Sequence, residues 1–283
     1  MSRRWVPRTL LDGLTFAESP RWRDGRLWFS DIFAHRVMTV DESGRAEVVV
    51  EFTGGERPSG LGFLPDGRLL IVNLSEPNIL RLDTTGEVVV HADLSELAVG
   101  GLNDMVVDDQ GRAYVGSMGT HSNAEKRPVD ADGVVILVEA DGRARVVAER
   151  LDAPNGPAFL DGGDTYVVAE FPAQRLTAYD RGVDGSLSAR RTWADLAPAG
   201  ADGISVDPAE GIWCASPWTS DVRRVLEGGA VADVVGFGDR MPLACAVGGH
   251  DGRTLFVLSC VGGAEAIAAR TCTSVIETVR LAS

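Results

Sequence analysis

Six glycines, Gly25, Gly67, Gly111, Gly163, Gly211 and Gly252, punctuate the chain at steps of 42, 44, 52, 48 and 41 residues. A period of this length marks a repeat architecture, and it narrows the possible folds more than any other feature. Ahead of the glycine turn, a polar residue opens an apolar run: Glu18-Ser19-Pro20-Arg21-Trp22, Ser59-Gly60-Leu61-Gly62-Phe63, Asn103-Asp104-Met105-Val106-Val107, Asn155-Gly156-Pro157-Ala158-Phe159 and Asp202-Gly203-Ile204-Ser205-Val206. Behind it come short β-branched runs separated by further turns. In the first unit these are Arg26 to Asp31 after Asp24-Gly25, Arg36 to Val40, and Ala46 to Val50 after Ser43-Gly44. Such runs predict four short strands per unit, with no sustained helical period competing. A unit this small cannot bury a core alone, so six must stack into one body, a single domain over 1–283. The sixth unit runs out of chain one strand short, and a spare strand lies near Trp5 to Leu11. The expectation is an all-β, six-bladed β-propeller of four-stranded blades, with the N-terminal strand closing the last blade.

Hydrophobic residues make up 45% of the chain and charged residues 24%, the balance of a globular protein with a sizeable core. A net charge of −14 excludes a generic nucleic-acid or anionic-membrane binder, which needs a clustered positive face. The expected partner is a small-molecule substrate, the expected state a monomer or weak homo-oligomer. Met1 to Pro7 has no apolar segment behind it, and no run approaches about 18 apolar residues, so a cytoplasmic location is expected. Cys214, Cys245, Cys260 and Cys272 show no CxxC spacing and read as buried, reduced thiols.

In a propeller the first strand of each blade lines the central channel. The residues opening these strands, Glu18, Ser59, Asn103, Asn155, Asp202 and Ala244, therefore form a ring. Singly, Asn155-Gly156 and Asp202-Gly203 read as ordinary turns; in phase, they place oxygen-bearing side chains around one axis. Carboxylates converging there raise each other's pKa unless a cation lies between them. Glu18, Asn155 and Asp202 offer the carboxylate and amide oxygens that suit one hard divalent ion, Ca²⁺ first, with Mn²⁺, Mg²⁺ or Zn²⁺ as alternatives. Loops between second and third strands open on the same face and offer Phe33, His35, Glu76, Met118, His121, Phe171 and Trp218. The insertions Gly119 to Gly133 and Val261 to Thr271 are lid candidates. Phe33, Phe171 and Trp218 read equally well as packing between blades, and His121 and His35 more readily as structural histidines than as catalysts.

At this level of detail the chain resembles the gluconolactonase and regucalcin (senescence marker protein) family of six-bladed propellers over nearly its whole length. The matching pieces are Ala17-Glu18-Ser19-Pro20-Arg21-Trp22, Asn103-Asp104, Gly116-Ser117-Met118, Pro154-Asn155-Gly156, Ala201-Asp202-Gly203-Ile204 and Gly248-Gly249. The resemblance implies that Glu18, Asn155 and Asp202 hold the metal, that Asn103 faces substrate and water, and that Asp202 is also the base. Two family features are missing. Gly101 stands where sugar lactonases carry an arginine, and Gly119-Thr120-His121 where acidic residues usually follow the methionine. Both help to bind polyhydroxylated substrates. The expectation is therefore a metal-dependent hydrolase of lactones or esters more apolar than gluconolactone, with Asp202 and Asn103 catalytic and Asn103, Met118, His121, Phe33, Phe171 and Trp218 around the substrate. Two alternatives stay open: metal-dependent cleavage or rearrangement of another carbonyl compound, in the manner of a C–C hydrolase or synthase, and a non-enzymatic propeller that binds a partner.

Overall fold

The computed structural model describes residues 5–120, 131–208 and 211–281. These form six four-stranded antiparallel sheets, each a blade whose strands follow one another in chain order, except the last. The sixth blade takes three strands from the C-terminal end, Met241–Gly248, Thr254–Val261 and Thr273–Arg280, and its outer strand, Arg8–Leu14, from the N-terminal end. The inner strands of the first five blades are Ala17–Arg23, Pro58–Phe63, Leu102–Val107, Pro154–Leu160 and Ile204–Val206. Each inner strand touches those of both neighbouring blades, and the sixth touches the first, so the ring is closed.

Local chemistry makes the hairpins. Asp24 and Gly25 both take positive φ, at 51° and 76°, and join Arg23 to its partner Arg26. That two-residue turn has the twist of the strands it connects. Side-chain turns punctuate the lower edge as well: Asp108 Oδ1 accepts the N–H of Gln110 at 3.0 Å and of Arg112 at 2.9 Å.

Packing explains why so many strands read as continuous apolar runs rather than as alternating ones. Within a blade successive side chains point to opposite faces, and both faces are covered by neighbouring blades. In the second blade, Leu69 and Ile71 join the core shared with the first blade, while Leu70 and Val72 join the core shared with the third. In the third, Val135 and Leu137 face the fourth blade, while Val134, Ile136 and Val138 face the second. Every adjacent pair of blades shares such a core, including the pair that closes the ring, where Leu14 and Ala17 meet Phe256, Leu258 and Ile276.

All four cysteines are buried and free, as expected. One element differs from the expectation. Within the Val261 to Thr271 insertion, residues Gly263–Ala269 form a helix, α1. Its Ala266 and Ile267 pack on a small core of Leu243, Cys260 and Cys272, against which Phe16 and Phe33 also lie. Among the described residues no helix is long and apolar enough to cross a membrane.

Candidate functional site

Glu18, Ser59, Asn103 and Asn155 each stand second in their inner strands and Asp202 just ahead of its own, where the backbone is irregular; the expected ring member of the sixth blade, Ala244, instead lies mid-strand against Gly203, and Leu243 takes the ring position there. In the first blade Glu18 pairs with Ser30 and Arg21 with Trp28, so the inner strand holds one residue more than its neighbour. The same excess occurs between Pro58 and Leu61, Leu102 and Met105, Asn155 and Pro157, and Pro242 and Ala244. A β-bulge turns a side chain out of the ladder, and here it turns the ring residues toward the axis. The fifth blade reaches the same end differently: its regular ladder starts at Ile204, and Gly203 donates its N–H to Leu243 O of the next blade at 2.8 Å.

Glycines following the ring positions let the blades close in. A Cβ on Gly156 would lie 2.6 Å from Asp202 O and from Ile204 N, and one on Gly203 would lie 2.6 Å from Ala244 Cβ. On Gly60 it would meet Asp104 Cα at 2.8 Å. The inner strands of blades four, five and six are thus in backbone contact, which brings Asn155 and Asp202 side by side. Asn155 Nδ2 donates to Asp202 Oδ1, and Asn155 Oδ1 accepts the Gly156 N–H at 2.8 Å. Across the closing seam, Glu18 Oε2 accepts the Ser19 N–H at 2.9 Å.

The electrostatics follow from this convergence. Glu18 and Asp202 keep some surface open to the channel but lie deep among protein atoms. Burial, then the charges of Asp202 and Asp104, hold the Glu18 carboxyl well above the usual carboxylate range; the Ser19 N–H and Arg21 oppose this. Burial and then Asp104 push Asp202 up to about 7, against the hydrogen bond from Asn155. Two carboxylates that suppress each other's ionisation form a site that lacks positive charge. The nearest guanidinium, Arg21, is bonded to Asp104 at 2.6 Å.

Among the described residues no group of three or more His, Cys, Asp or Glu is placed to hold a metal ion. The candidate set has two carboxylates and one amide. Its chemistry fits a hard divalent cation, which would relieve the repulsion between Glu18 and Asp202, with one adjustment: the Asn155 amide must turn its oxygen from Gly156 toward the axis.

The remaining expected residues divide. Asn103 lies half-buried in the bulge of the third blade. Met118 is half-buried at the loop following the second strand of that blade, its N–H bonded to Gly101 O at 2.8 Å. Phe171 and Trp218 come together, with ring centroids 4.4 Å apart and Trp218 40% exposed. Phe33 stands apart from them, stacked on Phe16 at 4.8 Å beneath α1. His35 holds Glu56 O through Nδ1 at 2.7 Å, a bond between the loops of two blades. His121 lies outside the described residues. Two participants escaped the sequence reading, Asp104 and Arg21. Both belong to quoted motifs, but only the distance across the channel reveals that they pair.

Residues 16–261 match the model of the SMP-30/Gluconolactonase/LRE-like region. The chain belongs to that family. It is 28% identical over 252 residues to a 6-deoxy-6-sulfogluconolactonase of Pseudomonas putida, covering 86% of this chain and 82% of that protein. In fold it is similar to a luciferin-regenerating enzyme, with a TM-score of 0.82 at 18% identity over 99% of this chain and 98% of the other. It is also similar to the calcium-binding protein regucalcin of Agrobacterium tumefaciens, with a TM-score of 0.79 at 22% identity over 100% and 97% of the two chains.

Proposed function

We propose that this chain hydrolyses lactones with a divalent cation held by Glu18, Asn155 and Asp202. The observation that carries the proposal is the convergence of these three side chains, beside a bulge or just ahead of the regular ladder, in a member of this family. A bound cation supplies polarisation of the substrate carbonyl. The protein's own groups do the rest. Asp202, with a pKa lifted to about 7, is poised to take a proton from the attacking water near neutral pH. Before the amide turns its oxygen to the cation, Asn155 Nδ2 donates to Asp202 Oδ1 and keeps the two side chains adjacent. Asn103, facing the channel from the third blade, orients the carbonyl or the water.

The substrate class follows from the rim. Gly101 is exposed, with nothing within 4 Å of a Cβ placed on it, so no side chain reaches over the mouth from there. A polyol whose hydroxyls stay unpaired in the complex loses about 1–3 kcal/mol for each. The Phe171–Trp218 pair offers apolar area instead. This supports an apolar or aromatic lactone, with Met118 and Phe33 further along the rim. The Pseudomonas relative supports the opposite reading, a polar sugar lactone. The two separate in one assay, kcat/KM for a panel of aromatic, aliphatic and sugar lactones with saturating Ca²⁺, Mn²⁺ or Zn²⁺, beside metal analysis of the purified protein. The apolar members are expected to lead. A sugar lactone ahead by about tenfold defeats the specificity argument, and full activity without a stoichiometric ion defeats the cation.

A further inference from the structure

Arg21 sits three residues after Glu18 on the inner strand of the first blade. At the corresponding places the other blades carry Gly62, Val106, Ala158, Ser205 and Ala246, so Arg21 is the only charged side chain at that position. Its guanidinium crosses toward the third blade. Nη1 donates to Pro20 O at 2.9 Å on its own strand, while Nη2 donates to Asp104 Oδ1 and to Met105 O, both at 2.6 Å. Asp104 Oδ1 also accepts the Met105 N–H at 2.8 Å. One fork therefore ties down the two residues that follow Asn103.

That segment leaves the regular ladder between the buried Leu102 and Met105. Leu102 pairs with Ser117 and Met105 with Val115, so Asn103 and Asp104 together face the single residue Gly116, and the ladder is broken between them. The second blade passes close by, but at Gly60, which has no side chain to brace against. Among the described residues nothing hydrogen-bonds the Asn103 side chain, so the position of its amide is inherited from the backbone. The Arg21–Asp104 pair is largely sheltered, with side chains 24% and 9% exposed, and the two charge-assisted bonds of Nη2, with Nη1 held by Pro20 O, fix the planar guanidinium in direction as well as distance.

We infer that Arg21 is a positioning residue for Asn103: by spanning the channel from the first blade to the third, it sets where the bulged Asn103–Asp104 segment presents its amide. This rests on the role given to Asn103 above. It makes the strand that carries Glu18 also the strand that aligns Asn103, so the two sides of the site are built in one register.

The test is a double-mutant cycle. Arg21→Met keeps the length of the side chain and removes the fork, and Arg21→Lys keeps the charge. Arg21→Met is expected to lower kcat on the best lactone about tenfold or more, with Ca²⁺ affinity by calorimetry within about threefold of wild type. Arg21→Lys is expected to recover part of that loss. In an Asn103→Ala background Arg21→Met is expected to change kcat by less than about twofold, because the residue it acts through is gone. A crystal structure of Arg21→Met is expected to show Asn103 displaced and Glu18, Asn155 and Asp202 in place. An equal loss in both backgrounds, or an unmoved Asn103, overturns the inference. If Arg21→Met does not fold, Arg21→Lys carries the same cycle. Absence of lactone turnover by the wild type defeats the proposed function instead, and the position of Asn103 in the crystal structure then decides this inference alone.

Discussion

In the proposed function Asp202 answers to three demands at once, as a charged ligand, as a base and as the hydrogen-bond acceptor of Asn155. Asp202→Asn removes the first two and keeps the shape, so turnover by cation-saturated enzyme is expected to fall about 10²–10⁴-fold, the usual range for loss of a general base. Asn103→Ala, which removes an orienting amide only, is expected to cost less. Single-turnover rates at saturating cation separate the two, and near-wild-type chemistry from Asp202→Asn moves the base elsewhere. The raised carboxyls also set the sign of the pH dependence. Asp202 titrates near 3.8 unfolded and about 7 folded, and Glu18 is raised too, so between these limits the native state binds more protons than the unfolded chain. Stability of the cation-free protein is therefore expected to fall as pH rises through that window. A cation that binds only the native, ionised pair stabilises by mass action, most strongly at the upper end. Melting curves with chelator and with saturating Ca²⁺ from pH 4.5 to 8 check this; a chelated protein that grows more stable with pH across the window contradicts the charge arrangement.

At the scale of elements, the repeat was legible because both faces of each blade are buried, which writes runs such as Leu69 to Val72 and Val134 to Val138 into the sequence as unbroken apolar segments. The bulges were not legible. In the second and fourth blades they coincide with the close approach of a neighbouring blade at Gly60 and Gly156, and a glycine after a polar residue reads as a turn whether or not another backbone lies 2.6 Å from its missing Cβ. Helix α1 was missed for a different reason: seven residues fall below the window in which a helical period can be counted, and none of them is buried. The positions of Glu18, Asn155 and Asp202 came through the phase of the repeat, whereas the Arg21–Asp104 pair spans 83 residues of sequence and left no local signal. The glycine argument has a direct consequence. In Gly156→Ala the new methyl meets backbone of the fifth blade, which cannot swing aside as a side chain can. The expected cost is about 1–3 kcal/mol of stability, by chemical denaturation, and a disproportionate loss of Ca²⁺ affinity, because the strand displaced is the one that leads out of Asp202. Unchanged affinity in a destabilised variant means that the close approach serves packing only.

For the whole molecule, closure was the most accessible inference, since a strand was missing at one end of the chain and spare at the other. The structure bears it out: Arg8 pairs with Thr278, Thr9 with Glu277, Leu11 with Ile276 and Leu14 with Ser274. The consequence for function lies in where the seam falls. Glu18 belongs to the first blade and Asp202 to the fifth, so the pair of carboxylates is held together across the sixth blade, whose outer strand is Arg8–Leu14. The same segment leads into Thr15 and Phe16, whose N–H groups bond Asp31 Oδ1 at 2.9 and 3.0 Å, anchoring the crossover to the first blade. Deleting residues 1–14 leaves Thr273–Arg280 as an unpaired edge and strips Leu14 from the core shared by the sixth and first blades. The truncated protein is expected to melt at a markedly lower temperature and to self-associate in light scattering through the exposed edge. Its Ca²⁺ affinity is expected to drop even in the fraction that remains monomeric and folded, because the closing seam no longer fixes the separation of Glu18 and Asp202. A peptide of residues 5–14 added in trans is expected to restore both melting temperature and affinity. Wild-type affinity in a folded, monomeric truncation, measured by calorimetry, would show that the inner strands alone hold the site and that the seam serves stability without serving the chemistry.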